Sequence, residues 1–359
     1  MKTLIRKLLG VVDRLDGVFE HSRLKPAWET MSTFFFSSRS VNPLGGPHLR
    51  DNTDLKRFMT AVMIAAGPTV LFSVWLFGWR SLALVVFCYV VGIVIEMGFA
   101  VAKREEVTEG MFVTCILYPM ILPPTLPFWM AAVGLAVALI LGKEVFGGTG
   151  KNIFNPAIVG RVFLAVTFPG PMSSQWAAPF SGIPGGFAHW SPGPDALTSA
   201  TPLIALKGGE PTALSSLFFG TTAGSLGETC DLLIILGGLF LIFTRVANWR
   251  LPLATILGAV CVTSILHLVA PGRFATPLVH LFSGGLLFGA FFMVTDPVTS
   301  PFTNAGKWVY GFLIGALAML IRTLSGYPEG VMFAILFMNI FSSIIDEAVL
   351  TVRYGRNAA

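Results

Sequence analysis

Ten apolar segments, separated by short polar stretches, constrain the fold of this chain more than any other feature of its sequence. Five precede a stretch rich in Gly, Pro and Ser at residues 170–230, and five follow it. A helix needs about 20 residues to cross a bilayer, and several of these segments are shorter. The sequence therefore predicts an all-α polytopic membrane protein with about ten transmembrane or broken helices. The segments are 58–77, 82–102, 110–122, 127–145, 154–169, 231–246, 252–270, 278–295, 308–323 and 330–350.

The composition excludes the main soluble classes of protein. Charged residues make up 12% of the chain, about half their share in soluble domains, and the mean hydropathy is +0.75. Such a chain has too little polar surface for a soluble enzyme, a disordered protein or a nucleic-acid-binding protein. The cysteines form no CxxC pair, which predicts neither a disulfide framework nor a complete zinc or iron–sulfur site. They are Cys88, Cys115, Cys230 and Cys261.

The distribution of Lys and Arg predicts the orientation in the membrane. If the chain starts in the cytoplasm and crosses ten times, most of its 24 basic residues fall on the cytoplasmic side. This places the N-terminal segment 1–57 and the tail 351–359 on the cytoplasmic side of the membrane, with the loop 170–230 on the opposite, periplasmic side. The excess of basic over acidic residues is then explained by the orientation of the chain in the membrane. The basic residues left outside are Arg80, Lys207, Arg273 and Arg322.

The two groups of five segments, 58–169 and 231–350, predict an inverted repeat. Five crossings force the second group to enter from the opposite side, and interrupted helices at corresponding positions usually accompany such repeats. The third segments run into Pro123-Pro124 and Asp296-Pro297, and the fifth begin near Asn152 and Tyr327. Interruptions of this kind are tolerated at membrane depth only where the freed backbone lines a cavity or binds a ligand.

Short polar blocks occur in an order that closely resembles one family over nearly the whole chain. The family contains the B subunit of the Na⁺-translocating NADH:quinone oxidoreductase, the Nqr complex, and the related D subunit of the Rnf complex. The segment before the first span resembles the Nqr form more closely than the Rnf form. The blocks are His48-Leu-Arg-Asp51, Glu109-Gly-Met-Phe-Val-Thr114, Lys143-Glu144, Asn152-x-x-Asn155-Pro156, Thr295-Asp296-Pro297 and Tyr327-Pro-Glu329-Gly330.

A Ser/Thr cluster in the central loop is open to two interpretations. By itself, Asp195-x-x-Thr198-Ser199-Ala200-Thr201 is typical of a turn or a helix cap. The resemblance implies instead an attachment motif, with FMN joined to Thr201 by a phosphoester, and Ser199 stands where the family usually has Gly. Lys207 would either offset the phosphate charge or be a solvated loop lysine.

Three further residues carry weaker assignments. The resemblance implies that Asn152 and Asn155 help to hold a non-covalent riboflavin, and amides suit the donor and acceptor edge of a flavin. Their alternative role is to cap the broken helix. The resemblance also places quinone near Gly92, although a lone Gly in a membrane helix is more typical of close packing.

Acidic residues near membrane depth are the candidates for Na⁺ transport, because burial of an unpaired carboxylate is costly. Glu96, Asp296 and Asp346 are predicted to contribute oxygen ligands to the ion path. Asp296 has capping of a helix end as its alternative. Glu144 directly follows Lys143 at a helix end, which predicts a solvated pair.

The resemblance implies a redox subunit that passes electrons from FMN through riboflavin to ubiquinone while Na⁺ is exported. Its expected partners are the other subunits of a six-subunit complex, which would carry the NADH site, FAD, the iron–sulfur clusters and a second covalent FMN. Membrane lipid and quinone complete the set, and no nucleic acid is expected. The alternatives are the D subunit of an Rnf complex and, in a different class, a secondary transporter or channel without redox activity.

Overall fold

A computed structural model of the chain describes residues 55–103, 110–173, 176–191, 201–208, 212–271, 274–327 and 329–355. Every regular element within these ranges is a helix, so the all-α prediction is confirmed. A 3₁₀ turn follows α4 at Glu144–Phe146, and a π turn continues α12 at Gly289–Met293. The α-helices are α1 (Leu55–Phe77), α2 (Trp79–Lys103), α3 (Gly110–Met120), α4 (Phe128–Gly142), α5 (Pro156–Thr167), α6 (Pro169–Ser173), α7 (Pro202–Lys207), α8 (Leu214–Phe219), α9 (Asp231–Phe243), α10 (Arg250–Val269), α11 (Pro277–Leu281), α12 (Leu286–Phe288), α13 (Asn304–Leu324) and α14 (Val331–Tyr354).

Six of these helices are long and apolar enough to cross a membrane. They are α1, α2, α4 with its 3₁₀ turn, α10, α13 and α14. Three shorter apolar helices, α3, α5 and α9, occupy predicted segments but end well before about 20 residues. The chain is therefore a membrane protein that combines full spans with broken ones.

The breaks in the third segments have different positions in the two groups. In the first, α3 ends at Met120, just before Pro123-Pro124, as predicted. In the second, the predicted segment 278–295 is divided in its middle, between α11 and α12. The cause is the run Ser283-Gly284-Gly285, in which Gly284 has a φ of 67°, a conformation that side chains other than hydrogen rarely tolerate.

Corresponding helices pack together in the two groups. Helix α2 contacts α3 and α4, and its counterpart α10 contacts α11 and α13. Likewise α4 packs on α5 and α13 packs on α14, while α1 contacts α9 and α5 contacts α14 across the groups. This pairing agrees with a repeat of five elements. The inverted orientation of the second group stays a prediction from the charge distribution.

Helices α10 and α13 meet along a seam of glycines. A Cβ atom on Gly258 would overlap the backbone oxygen of Phe312, and one on Gly315 would overlap that of Thr255. Small residues at such positions let two membrane helices approach until their backbones touch. The seam fixes α13, whose C-terminal end lies beside the site described below.

Two sets of contacts group the polar stretches as the charge distribution predicts. The central loop covers the turn between α1 and α2, where Trp79 N and Arg80 N donate to the carbonyls of His189 and Trp190 at 3.2 and 2.8 Å. At the other end of α2, Lys103 Nζ lies 2.6 Å from Glu144 Oε2. The predicted periplasmic elements thus lie together at one end of the molecule, and two predicted cytoplasmic turns lie together at the other.

Candidate functional site

The outer cavity, of about 290 Å³, lies between the central loop and the second group of helices. Thr201 lies in its wall and is buried. Thr201 is also the N-cap of α7, because its Oγ accepts a hydrogen bond from Ile204 N at 3.4 Å. The other members of the predicted attachment motif, Asp195, Thr198, Ser199 and Ala200, lie outside the described residues. The helix-cap interpretation of Thr201 is therefore confirmed, and the same residue borders a cavity of the size that ligands occupy, roughly 300 Å³ and above.

Three charged side chains, Arg161, Glu228 and Glu329, line the described wall of this outer cavity. Arg161 Nη2 donates to Glu329 Oε2, and Arg161 Nη1 lies 3.8 Å from Glu228 Oε1. Arg161 Nη1 also donates to Ser225 Oγ at 3.3 Å. These residues join α5, the segment before α9 and the segment before α14 across the cavity. Sequence reasoning selected neither Arg161 nor Glu228 as a site residue.

Lys207 is hydrogen-bonded to the fold and is not a purely solvated loop lysine. Its Nζ donates to the carbonyl oxygens of Ser325 and Tyr327 at 2.9 and 2.8 Å, which ties α7 to the turn between α13 and α14. Partial burial, and to a smaller extent the nearby Arg322 guanidinium, lower the pKa of Lys207 below its usual range. Two of its three donors are therefore committed to holding the loop next to Thr201.

The inner pocket, of about 80 Å³, lies at the opposite end of the fold and brings Asn152, Asn155 and Asp296 together. Asn155 is the N-cap of α5, with its Oδ1 accepting from Ala157 N at 3.1 Å. Asn152 is bound to its own turn, because its Nδ2 donates to the carbonyl of Phe154 at 3.0 Å. Asn155 thus caps the broken helix, Asn152 stabilises the turn before it, and both amides border a common pocket.

The fit of a flavin differs between the two spaces. The outer cavity encloses enough volume for a ring system and offers guanidinium and hydroxyl donors. The inner pocket encloses less volume than a ligand site usually does, and too little for a whole flavin ring. Two of its lining residues, Phe58 and Gly110, lie close to stretches that are outside the described residues.

The three carboxylates predicted for the ion path have different partners. Asp296 accepts from Val298 N at 3.2 Å and from Thr299 Oγ at 3.1 Å, so it stabilises its own turn while bordering the inner pocket. Asp346 accepts from the backbone N–H groups of Phe302 and Thr303 at 2.6 and 3.0 Å. Asp346 thereby fixes the start of α13, and it lines neither the outer cavity nor the inner pocket.

Glu96 forms a buried ion pair with Lys143, which joins α2 to the end of α4. The prediction of a solvated Lys143–Glu144 pair is wrong, because both side chains are buried and each pairs with a different residue. The α4 helix ends at Gly142, so the two side chains leave the chain in different directions. Lys143 also lines the inner pocket.

Gly92 lies at the contact of α2 with α3. A Cβ atom there would overlap Cys115 Sγ, so the residue permits close packing of the two helices. Gly92 lines neither the outer cavity nor the inner pocket. The structure therefore supplies a packing reason for this glycine, and its role in quinone binding stays a prediction.

Comparison with known proteins identifies the family of this chain. The sequence model of the NQR2, RnfD, RnfE family matches residues 44–355. The chain belongs to this family. The match includes both groups of helices, the outer cavity and the inner pocket of this NQR2, RnfD, RnfE family member.

Individual relatives match over almost their full length. A protein named as the B subunit of Na(+)-translocating NADH-quinone reductase, from Ectopseudomonas mendocina, is 36% identical, over 97% of this chain and 98% of the relative. Proteins of the same name from Klebsiella pneumoniae and Pseudomonas aeruginosa are 33% and 35% identical, with at least 97% of each chain covered. Because these matches cover almost the whole chain, the similarity includes every helix of the described fold.

Proposed function

We propose that this chain is the membrane-embedded redox B subunit of a Na⁺-translocating NADH:quinone oxidoreductase. In this proposal it passes electrons from FMN on Thr201 through riboflavin to ubiquinone, coupled to Na⁺ export. The observation that supports it most is the position of Thr201 in the wall of the outer cavity, in a chain whose relatives carry that name. Covalently held FMN supplies one-electron chemistry, and the protein supplies its position and electrostatic environment.

The residues around the outer cavity have distinct tasks in this proposal. Thr201 Oγ carries the phosphoester, and Lys207 holds α7 against the second group of helices through Ser325 and Tyr327. The ring enters the cavity, where Arg161 and Ser225 present donors and where water is displaced from its faces. The remaining motif residues Asp195, Thr198, Ser199 and Ala200 are proposed to be read by the attaching enzyme.

The attachment is tested by in-gel fluorescence of the denatured protein under ultraviolet light. Thr201→Ala should abolish the fluorescence and leave membrane insertion unchanged, because the residue lies at the start of a short loop helix. Thr222→Ala is the matched control, since Thr222 lines the same cavity and should keep the fluorescence. A fluorescent Thr201→Ala band would contradict the assignment. In the wild-type protein, the mass of the peptide 170–230 should include the added FMN.

Na⁺ is proposed to pass by the inner pocket, with Asp296 as its main carboxylate ligand. Asp296 borders that pocket, whereas Glu96 is paired with Lys143 and Asp346 is committed to the start of α13. Carboxylate oxygens suit Na⁺ by analogy with other hard cations. Riboflavin is proposed to place one edge at Asn152 and Asn155 in the same pocket, and ubiquinone to bind near Gly92.

The ion assignment is tested by the Na⁺ concentration that gives half-maximal quinone reduction. Asp296→Asn should raise it, because the amide keeps the shape and removes the charge, while flavin content stays normal. Glu96→Gln and Asp346→Asn serve as comparisons and should change it less. An unchanged Na⁺ dependence in all three variants at normal turnover would place the ion path in a partner subunit.

The partners follow from the same proposal. NADH, FAD, the iron–sulfur clusters and a second covalent FMN would reside on other subunits of a six-subunit complex in the bacterial inner membrane. Both termini would be cytoplasmic. The D subunit of an Rnf complex belongs to the same family, and NADH-driven quinone reduction in membranes distinguishes the two, since an Rnf complex would not catalyse it. Absence of covalent flavin would favour a transporter without redox activity.

A further inference from the structure

The wall of the outer cavity contains more charged side chains than the attachment of a flavin to Thr201 requires. Arg161, Glu228 and Glu329 are the charged side chains in the described part of that wall, which they share with Thr201. Their side chains are only 5%, 9% and 11% exposed. Buried charges of this kind are costly unless they are paired, so the arrangement calls for a physical reason.

The three side chains are held from several directions. Glu329 accepts from Arg161 Nη2 through one oxygen and from Gly285 N through the other, at 3.0 Å for the second. Arg161 is fixed in turn by Ser225. A cluster fixed by four separate segments keeps its charges in place when a ring enters the cavity, which is the condition for a preorganised electrostatic environment.

The two carboxylates converge on the same small space. A Cβ atom on Gly285 would overlap Glu228 Oε1 and would lie 2.6 Å from Glu329 Oε1, so only glycine fits between them. Arg161 therefore serves two carboxylates, of which Glu329 is hydrogen-bonded to it and Glu228 stands at 3.8 Å, and Arg322 interacts with both at longer range. Burial, and then the nearby Glu329 carboxylate, raise the pKa of the Glu228 carboxyl to about 8, so the three wall residues carry one positive and two negative charges only above that pH.

A redox group beside this cluster interacts electrostatically with charges of both signs. An added electron gives the flavin negative charge, which a nearby guanidinium stabilises and a carboxylate without its own full partner opposes. Charge near the ring is one of the levers by which a protein tunes a flavin. Such interactions are far stronger in a buried site than in water.

We propose that Arg161 and Glu228 set the reduction potential of the flavin carried by Thr201, and that they act in opposite directions. Arg161 favours the reduced flavin, Glu228 favours the oxidised flavin, and Glu329 positions Arg161. The proposal rests on the proposed attachment of FMN to Thr201. It assigns to the cavity wall a function that attachment alone does not require.

The test is a spectroelectrochemical titration of the flavin in the purified complex at about pH 9, where the Glu228 carboxyl is ionised. Arg161→Met should lower the ratio of reduced to oxidised flavin at a fixed electrode potential about tenfold, and Glu228→Gln should raise it about tenfold. Each tenfold change corresponds to about 59 mV for a one-electron couple. Arg161→Lys keeps the charge and should restore most of the wild-type ratio.

The control removes the same charge at the far end of the molecule. Lys103 ends α2, a helix of 25 residues, or about 37 Å, whose start lies under the central loop. Lys103→Met should change the ratio less than twofold. The titration measures an equilibrium and does not depend on turnover.

Shifts of the same sign in Arg161→Met and Glu228→Gln, or no shift in either, would overturn the proposal, since a purely structural role predicts no reversal of sign. If Arg161→Met does not assemble, Glu228→Gln and Arg161→Lys decide the question, and Glu228→Gln must still raise the ratio. A wild-type protein without covalent flavin on the denaturing gel would overturn the attachment itself. Normal fluorescence with unmoved potentials would overturn only the role of the cluster.

Discussion

Arg161 and Arg322 are both buried within the described part of the fold, yet their guanidinium groups have very different surroundings. Arg161 contacts Glu329, Ser225 and Glu228. Arg322 donates from Nη1 to the carbonyl of His280 at 2.7 Å, while its Nε and Nη2 have no partner among the described residues.

The surroundings of Arg322 include three carboxylates that it does not reach within 4 Å among the described residues: Glu329 and Glu228, which Arg161 contacts, and Asp231. Asp231, at the start of α9, is buried, and neither of its side-chain oxygens has a hydrogen-bond partner among the described residues. Arg322 and Asp231 are close enough to interact electrostatically but form no ion pair within 4 Å in that part of the chain. The comparison teaches that burial of an arginine does not by itself show a stabilising network, because stability depends on the partners.

The largest expected effect separates the two arginines. Arg161→Leu leaves Glu228 and Glu329 buried without their guanidinium, and removal of one member of a buried ionic group typically costs about 3–5 kcal/mol. Arg322→Leu removes a group with one strong hydrogen bond and should cost about 1 kcal/mol. Denaturant titration of both variants in detergent micelles measures the free energies of unfolding. Equal losses in the two variants would contradict the comparison.

A smaller effect is expected when a partner of Arg161 is changed rather than the arginine itself. Glu329→Gln keeps the size and one acceptor oxygen but removes the charge that Arg161 Nη2 contacts. Hydrogen bonds to charged groups contribute about 1.5–3 kcal/mol, so the free energy of unfolding should fall by that amount. Glu347→Gln, an exposed change on α14, is the control and should leave it unchanged. A loss as large as that of Arg161→Leu would mean that Glu228 contributes nothing.

The smallest effect is expected at Asp231. Asp231→Asn replaces a buried carboxyl whose oxygens have no hydrogen-bond partner in the described structure, so there is no bond to lose. The free energy of unfolding should therefore change by less than the roughly 1 kcal/mol that a typical hydrogen bond contributes, or increase. The same micelle titration checks this. A decrease of several kcal/mol would show that Asp231 and Arg322 stabilise each other directly.

The sequence was sufficient for the helices and for part of the site. Hydropathy predicted an all-helical membrane fold with ten apolar segments, although the structure divides the segment 278–295 in its middle. The Pro123-Pro124 pair predicted the break after α3, because two successive prolines remove backbone donors that a helix needs. The family resemblance selected Thr201, Asn152 and Asn155, and all three border a cavity or pocket.

The contacts between distant segments could not be predicted in the same way. Glu228 lies in a polar loop and Arg161 lies 67 positions before it in the numbering, so no helical spacing links them. The Glu96–Lys143 pair likewise joins two helices through their tertiary packing. Spacing along one helix reports neighbours three or four residues apart, whereas these pairs depend on how whole helices are arranged.

The glycine seam between α10 and α13 has a mechanical consequence. Backbones in direct contact at Gly258 and Gly315 have no side-chain layer between them that could deform, so neither helix can slide or rotate without lifting off the other. The two helices must therefore move together as one rigid unit. The chain bends at Gly284, between α11 and α12 in the wall of the outer cavity, so we expect displacement there and not between α10 and α13.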